Sequence, residues 1–194
     1  MGTVGWAFLP YFLKKHLSRE STDCKKICIF AHIIIKFMAE EFIIAEGGKQ
    51  ERYALLYQQI AAVCHSEQDV VANMANMAAM IHTTFSFWWT GFYRVVEDQL
   101  VVGPYQGPLA CSRIKRGRGV CGKAWEQQQT IIVPDVEKFP GHIACSSRSR
   151  SEIVVPVWND NQIVGVLDID SEQLETFDET DGEWLEKICQ LLDR

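Results

Sequence analysis

Beyond residue 50 the apolar side chains fall into readable periods. Tyr53, Leu56, Tyr57, Ile60 and Val63 or Cys64 recur at helical spacing from Gln50 to about His65–Ser66, which predicts an amphipathic helix. Ser66 followed by Asp69 reads as an N-cap with an acid in the first turn of a second helix running to about Thr83. Its stripe is Val70, Met74, Met77, Ala78 and Ile81, and methionines at that spacing read as core packing. Phe85 to Val96 is aromatic and β-branched, a strand closed by a turn at Glu97–Asp98, with Leu100 to Pro104 as its hairpin partner. Gly117 to Gly122 reads as a loop opening a helix through about Gln128, and Thr130 to Val133 as a short strand. Pro134 to Ser151 shows little periodicity and reads as a long loop, of the kind that often carries function. Glu152 to Trp158 and Gln162 to Ile169 flank Asn159-Asp160-Asn161, a hairpin signal. Asp178 is placed to cap a last helix whose face is Trp184, Ile188 and Leu191, with Cys189 assigned to the core. This order of elements predicts an α+β domain, an antiparallel sheet with helices on one face.

The 194 residues, 47% hydrophobic and 23% charged, suit one domain plus an extension. Charge divides the chain. Residues 1–37 carry six basic and two acidic side chains, whereas residues 38–194 carry the remaining 13 basic and 23 acidic ones. We therefore expect a basic N-terminal extension at 1–37, disordered or upstream of the working start, and a globular domain at 38–194. An acidic body argues against nucleic acid or an anionic membrane as partner. The longest apolar run, Ile27 to Phe37, is broken by His32 and Lys36 and is too short to span a bilayer. Seven cysteines without a recognisable secretory signal point to a reducing compartment, the cytoplasm by default.

Three of those cysteines stand apart. Cys111, Cys121 and Cys145 lie in LAC, GRGVCG and GHIAC, loop-like sequence among glycines, a histidine and basic residues. A redox-active thiol needs a partly exposed site, positive neighbours and a second thiol in reach. Cys145 is the working candidate for such a thiol and Cys111 for its partner. Asp168 and Asp170 interrupt an apolar strand at i, i+2 spacing, which puts both on one sheet face, and Glu152 opens the neighbouring strand. A solvated strand end is the plainer alternative for the pair. Carboxylates beside a thiolate raise each other's pKa, and a carboxyl group kept protonated can donate to a substrate oxygen. That combination suits sulfoxide reduction: thiolate attacks sulfur, an acid protonates the departing oxygen, and a second thiol converts the sulfenic acid to a disulfide. Trp89 and Tyr93 share a strand parity with Gly91 between them, so a pocket on that face would be walled by both, with the glycine leaving open space.

WTGFY, VGPYQGPLAC, GRGVCG, VPDVEKFPGHIAC, SEIVVP and GVLDIDS together resemble the free methionine-(R)-sulfoxide reductases, a family built on a single GAF domain, over roughly residues 50–193. The resemblance implies a six-stranded antiparallel sheet with flanking helices. It implies free methionine (R)-sulfoxide as substrate, no bound cofactor, and resetting by an external thioredoxin-like dithiol. Carried over by motif, Cys145 is the sulfenic-acid-forming cysteine, Cys111 the resolving one and Cys121 an auxiliary third. Glu152 and Asp170 would hold the sulfoxide oxygen, Asp168 the ammonium, and Trp89, with Tyr93, the S-methyl group. Backbone N–H groups near Ser112 to Ile114 or in the Cys145 loop would take the carboxylate. Trp88, Thr90, Ser146, Arg148 and Arg150 depart from the usual pattern, and the two arginines favour a thiolate at Cys145. A homodimer is allowed but not specified.

Two rivals remain open on sequence alone. A non-catalytic GAF sensor would bind a small ligand without chemistry. A structural zinc site on Cys111, Cys121, His142 and Cys145 lacks the paired Cys-x-x-Cys knuckle, so no metal is expected.

Overall fold

The computed structural model describes residues 42–142 and 147–193; the expected extension at 1–37 and Cys145 lie outside them. The compact unit runs over Ile43–Arg194. It opens with two helices, α1 (Lys49–Ser66) and α2 (Val70–Phe85). The cap of α2 is Asp69, whose carboxylate accepts from the Ala72 N–H at 2.8 Å, whereas Ser66 is the last residue of α1. An aspartate bonding the third N–H ahead offsets an otherwise orphaned donor, which a serine three residues upstream cannot reach.

Strands β1 (Trp89–Val96), β2 (Gln99–Gln106) and β3 (Arg113–Lys115) follow, then helix α3 (Gly119–Gln127) and strand β4 (Ile131–Val133). Strands β5 (Ser151–Asn159) and β6 (Gln162–Ser171) precede helix α4 (Glu179–Cys189). The six strands form one antiparallel sheet in the order β3-β2-β1-β6-β5-β4. Both hairpins close through paired left-handed residues, Glu97 and Asp98 in one and Asp160 and Asn161 in the other, the backbone that matches the twist of the flanking strands. Phe85 belongs to α2, so β1 starts at Trp89, four residues later than its aromatic composition suggests. The three-residue β3 buries only Ile114, too little for alternation to reveal.

Alternation sorts the strands onto two cores. Phe92, Ile153, Val155, Leu167 and Ile169 face one way and pack with Leu56, Ile60, Met77, Ile81, Leu185 and Ile188 of α1, α2 and α4. Full burial of each such aliphatic side chain contributes about 1.5–3 kcal/mol. Tyr93, Val154 and Val166 face the other way and pack with Val120, Ala124 and Trp125 of α3. Helices therefore lie on both faces, not on one. Cys121, expected in a loop, sits inside α3. That helix can approach because Gly122 has no side chain: a Cβ there would lie 2.4 Å from the Lys115 carbonyl oxygen.

The α4 start is doubly tied. Asp178 accepts from the N–H groups of Thr180 and Asp181, and the Asp181 carboxylate accepts in return from the Asp178 N–H, a capping box. Asp181 is fully buried and also takes Lys49 Nζ at 2.5 Å and the Tyr53 hydroxyl at 2.9 Å, which pins α1 to α4.

Candidate active site

The face covered by α3 carries the polar residues. Across β1, β6 and β5, Trp89 pairs with Asp170 and Asp170 with Glu152; one step along, Gly91 pairs with Asp168 and Asp168 with Val154; next, Tyr93 pairs with Val166 and Val166 with Pro156. Directly opposed residues of antiparallel strands share a face, so register alone brings the three acids and both aromatics together. They line one narrow cleft with Trp88, Cys121, His142 and Ser149. Of the pair Asp168 and Asp170, the solvated-strand-end alternative is excluded for Asp168, which is only 7% exposed, whereas Asp170 is half-buried; Glu152 opposite it is 6% exposed.

The indole of Trp89 lies flat between Tyr93 (5.9 Å between centroids) and Tyr105 (5.2 Å), and its Nε1–H donates to the Pro108 carbonyl. Gly91 does not leave open space, as its position between Trp89 and Tyr93 suggested. A Cβ there would meet the Trp89 ring at 2.5 Å and Tyr105 Cβ at 2.3 Å. The glycine is the slot in which the indole lies.

Electrostatics in the cleft are one-sided. Burial, then the charges of Asp168 and Asp170, pushes the Glu152 carboxyl well above its usual range. Asp168 is raised by burial and by Asp170, and is partly relieved by hydrogen bonds from Cys121 and Glu152. Asp170 is raised by burial to about 6, restrained by a hydrogen bond from the Ser149 hydroxyl. Cys121 is held as a neutral thiol by burial first and then by the neighbouring carboxyl groups of Asp168 and Glu152. Tyr93 is pushed up by burial and by the same acids. Three carboxyl groups this close, without an adjacent cation to balance them among the described residues lining the cleft, retain at least one proton at neutral pH. One oxygen, Asp168 Oδ1, is buried without any hydrogen-bond partner.

Cys111 is half-buried in the loop after β2 and is disulfide-bonded, whereas Cys121 is a free, buried thiol. His142 Nε2 stands 3.8 Å from Glu152 Oε2, so at this point its imidazole faces an acid. Burial lowers the His142 pKa, which keeps the ring neutral. Of the residues that depart from the usual pattern, two meet: the Arg148 guanidinium stacks 3.9 Å over the Trp88 ring and also pairs with Glu172. Ser149 escaped the sequence reading, because nothing in an aperiodic loop marks one serine among several.

Residues 64–193 match the GAF domain family. The chain is 42% identical to the free methionine-R-sulfoxide reductase of Escherichia coli over 76% of its own length and 90% of that protein. It is 54% identical to GAF domain-containing protein A of Dictyostelium discoideum, covering 80% of this chain and 99% of that one. The chain belongs to the free methionine-R-sulfoxide reductase family of GAF domains. The crystal structure of the Neisseria meningitidis free methionine-R-sulfoxide reductase in complex with its substrate superposes on it with a TM-score of 0.77 at 48% identity, covering 79% of this chain and 93% of that one. The family assignment agrees with the geometry: a GAF sheet whose inner face presents acids, a thiol and an aromatic wall. Among the described residues no helix is long and apolar enough to cross a membrane.

Proposed function

We propose that this chain reduces free methionine (R)-sulfoxide to methionine, with Cys145 as the attacking thiolate, Cys111 as the resolving thiol and a thioredoxin-like dithiol as the external donor. The observation that carries this reading is the acid cluster, Glu152, Asp168 and Asp170, gathered with Trp89 in one small cleft. Glu152 is the acid: buried and raised, it holds a proton at neutral pH and sits across from Asp170, so the two share the sulfoxide oxygen. Asp168 takes the substrate ammonium, whose N–H groups would satisfy the orphaned Oδ1. Trp89 walls the S-methyl group. The N-terminus of α3 has no side-chain cap, and Gly119, Val120 and Cys121 line the cleft, so its backbone N–H groups suit the substrate carboxylate.

The Cys145 thiolate bonds to the substrate sulfur while Glu152 passes its proton to the oxygen. Sulfur–oxygen transfer then leaves the thioether and a cysteine sulfenic acid. Cys111 attacks that sulfur, water departs and a disulfide remains, which the external dithiol reduces by exchange. A disulfide at Cys111 supports this cycle, being the state that follows one turnover. Cys121 does not compete for the resolving role, since its thiol is held neutral and hydrogen-bonds Asp168; it orients that carboxylate.

The test is a thioredoxin-coupled assay offering free methionine R-sulfoxide, its S epimer and a peptide-bound sulfoxide side by side. Turnover confined to the first is expected. Peptide turnover would overturn the substrate class, and no turnover with ligand binding intact in wild type and Cys145→Ser would leave a sensor.

A further inference from the structure

We propose that Cys121, Glu152 and Asp168 form a binding site for a zinc-class divalent cation, and that a cation held there excludes the substrate. The sulfur and one oxygen of each carboxylate lie within 4.8 Å of one another, and all three residues are buried. A tetrahedral zinc site has bonds of about 2.3 Å to sulfur and about 2.0–2.2 Å to oxygen, which sets its ligands roughly 3.5 Å apart. Closing the trio by about an ångström is within reach of side-chain rotation.

A second observation points to a ligand. Asp168 Oδ1 is a hydrogen-bond orphan in a residue only 7% exposed that lines the cleft. An acceptor in that state needs a cation or a donor, and native structures rarely leave it wanting. His142 stands beside the trio but not within it: its Nε2 is 3.8 Å from Glu152 Oε2, and the residue lines the same cleft, so a turn of its ring could add a fourth ligand. Thiolate, imidazole and carboxylate together select zinc or cobalt over magnesium or calcium. This set differs from the zinc quartet of Cys111, Cys121, His142 and Cys145 set aside on sequence, since only Cys121 and His142 are common to both. Cation entry displaces the thiol proton and the carboxyl protons, so charge is conserved by proton release to solvent. The exclusion half rests on the functional reading above, because the same carboxylates would hold the substrate.

Cobalt(II) is the probe, added to the full chain with Cys111 and Cys145 both replaced by serine, so that neither redox thiol supplies sulfur and no turnover occurs. A thiolate-to-cobalt charge-transfer band is expected, lost in Cys121→Ser. Asp168→Asn should keep the fold, checked by thermal melting, and weaken cobalt binding by more than the roughly 10–100-fold that loss of a mere outer-shell partner costs. Free methionine R-sulfoxide should displace the band at lower concentration than its S epimer, which controls for chelation in solution. Absence of the band, or its persistence in Cys121→Ser, overturns the site. A band that both epimers displace equally overturns the exclusion. Turnover by the wild-type chain without metal is measured separately, so failure of the functional reading shows as missing turnover and failure of the site as a missing band.

Discussion

A single buried acid on one face of the sheet and a buried acid cluster on the other differ in one respect: only the first is balanced. On the helical face, Asp181 is fully buried but receives Lys49, the Tyr53 hydroxyl and a backbone N–H, each at 2.9 Å or less. On the other face, Glu152, Asp168 and Asp170 have each other, a thiol and a serine. The first arrangement satisfies its carboxylate and locks α1 to α4. The second concentrates negative charge with no lysine or arginine lining the cleft among the described residues, which destabilises the fold and makes sense only if something else occupies the cleft. Burial alone does not distinguish structure from chemistry; the presence of a counter-charge does.

That contrast is broken most severely at Glu152. Glu152→Gln removes the proton donor while keeping the shape, and kcat should fall by about 100–10,000-fold. The fold should be about as stable as wild type at neutral pH, because the amide keeps the shape and the hydrogen bond that the protonated carboxyl gives Asp168. Single-turnover kinetics and urea unfolding on the same preparation check both halves; a large loss of stability would place Glu152 with the structural acids.

Asp181→Ala should do the reverse. Lys49 keeps Asp178, but the Tyr53 hydroxyl and the Asp178 N–H lose their buried acceptor, which should cost about 1–3 kcal/mol of stability, read by urea unfolding. Activity per folded molecule should stay near wild type, since α4 packs on the far side of the sheet from the cleft.

The pocket acids and the exposed cap Asp178 also respond oppositely to pH. The pocket acids have raised pKa values in the folded state, so between the unfolded carboxylate range and the raised values the folded chain binds more protons than the unfolded one. Their contribution is therefore fully present at low pH and is lost as pH rises, through about 6 for Asp170. For that residue alone the loss is on the order of 2–3 kcal/mol. Asp178, lowered by Lys49, contributes above the ordinary carboxylate range and loses its contribution on acidification. Urea unfolding from pH 4 to pH 7 should thus show stability falling less steeply in Asp170→Asn than in wild type. Equal slopes would mean that the acid is not raised.

How far these features could be read in advance follows from their physics. Period-two alternation put Asp168 and Asp170 on one face and Trp89 with Tyr93 on another stretch of it, and a hairpin signal placed Glu152 alongside. Register, once the turns are known, does the rest. The tie between Lys49 and Asp181 spans 132 positions and leaves no local trace. Cys121 read as a loop residue because two glycines flank its motif, yet those glycines let α3 pack closely and turn its start into the cleft. Three-residue β3 and the capping role of Asp69 were lost for want of length and of a one-turn distinction.

Ser149 supplies the subtlest probe of the unbalanced cluster. Its hydroxyl donates to Asp170 Oδ1, a bond that favours the ionised carboxylate and holds down a pKa that burial pushes up. Ser149→Ala removes that restraint, so the Asp170 pKa should move upward from about 6. If turnover needs Asp170 ionised beside a protonated Glu152, the acidic limb of the pH–kcat/KM profile should shift to higher pH while the plateau changes little. Ser149→Thr, which keeps the hydroxyl, should restore the limb. A uniform fall in rate at every pH, unrescued by threonine, would mean that the serine merely packs the loop, and the proton balance among the three acids would then be set by burial and mutual repulsion alone.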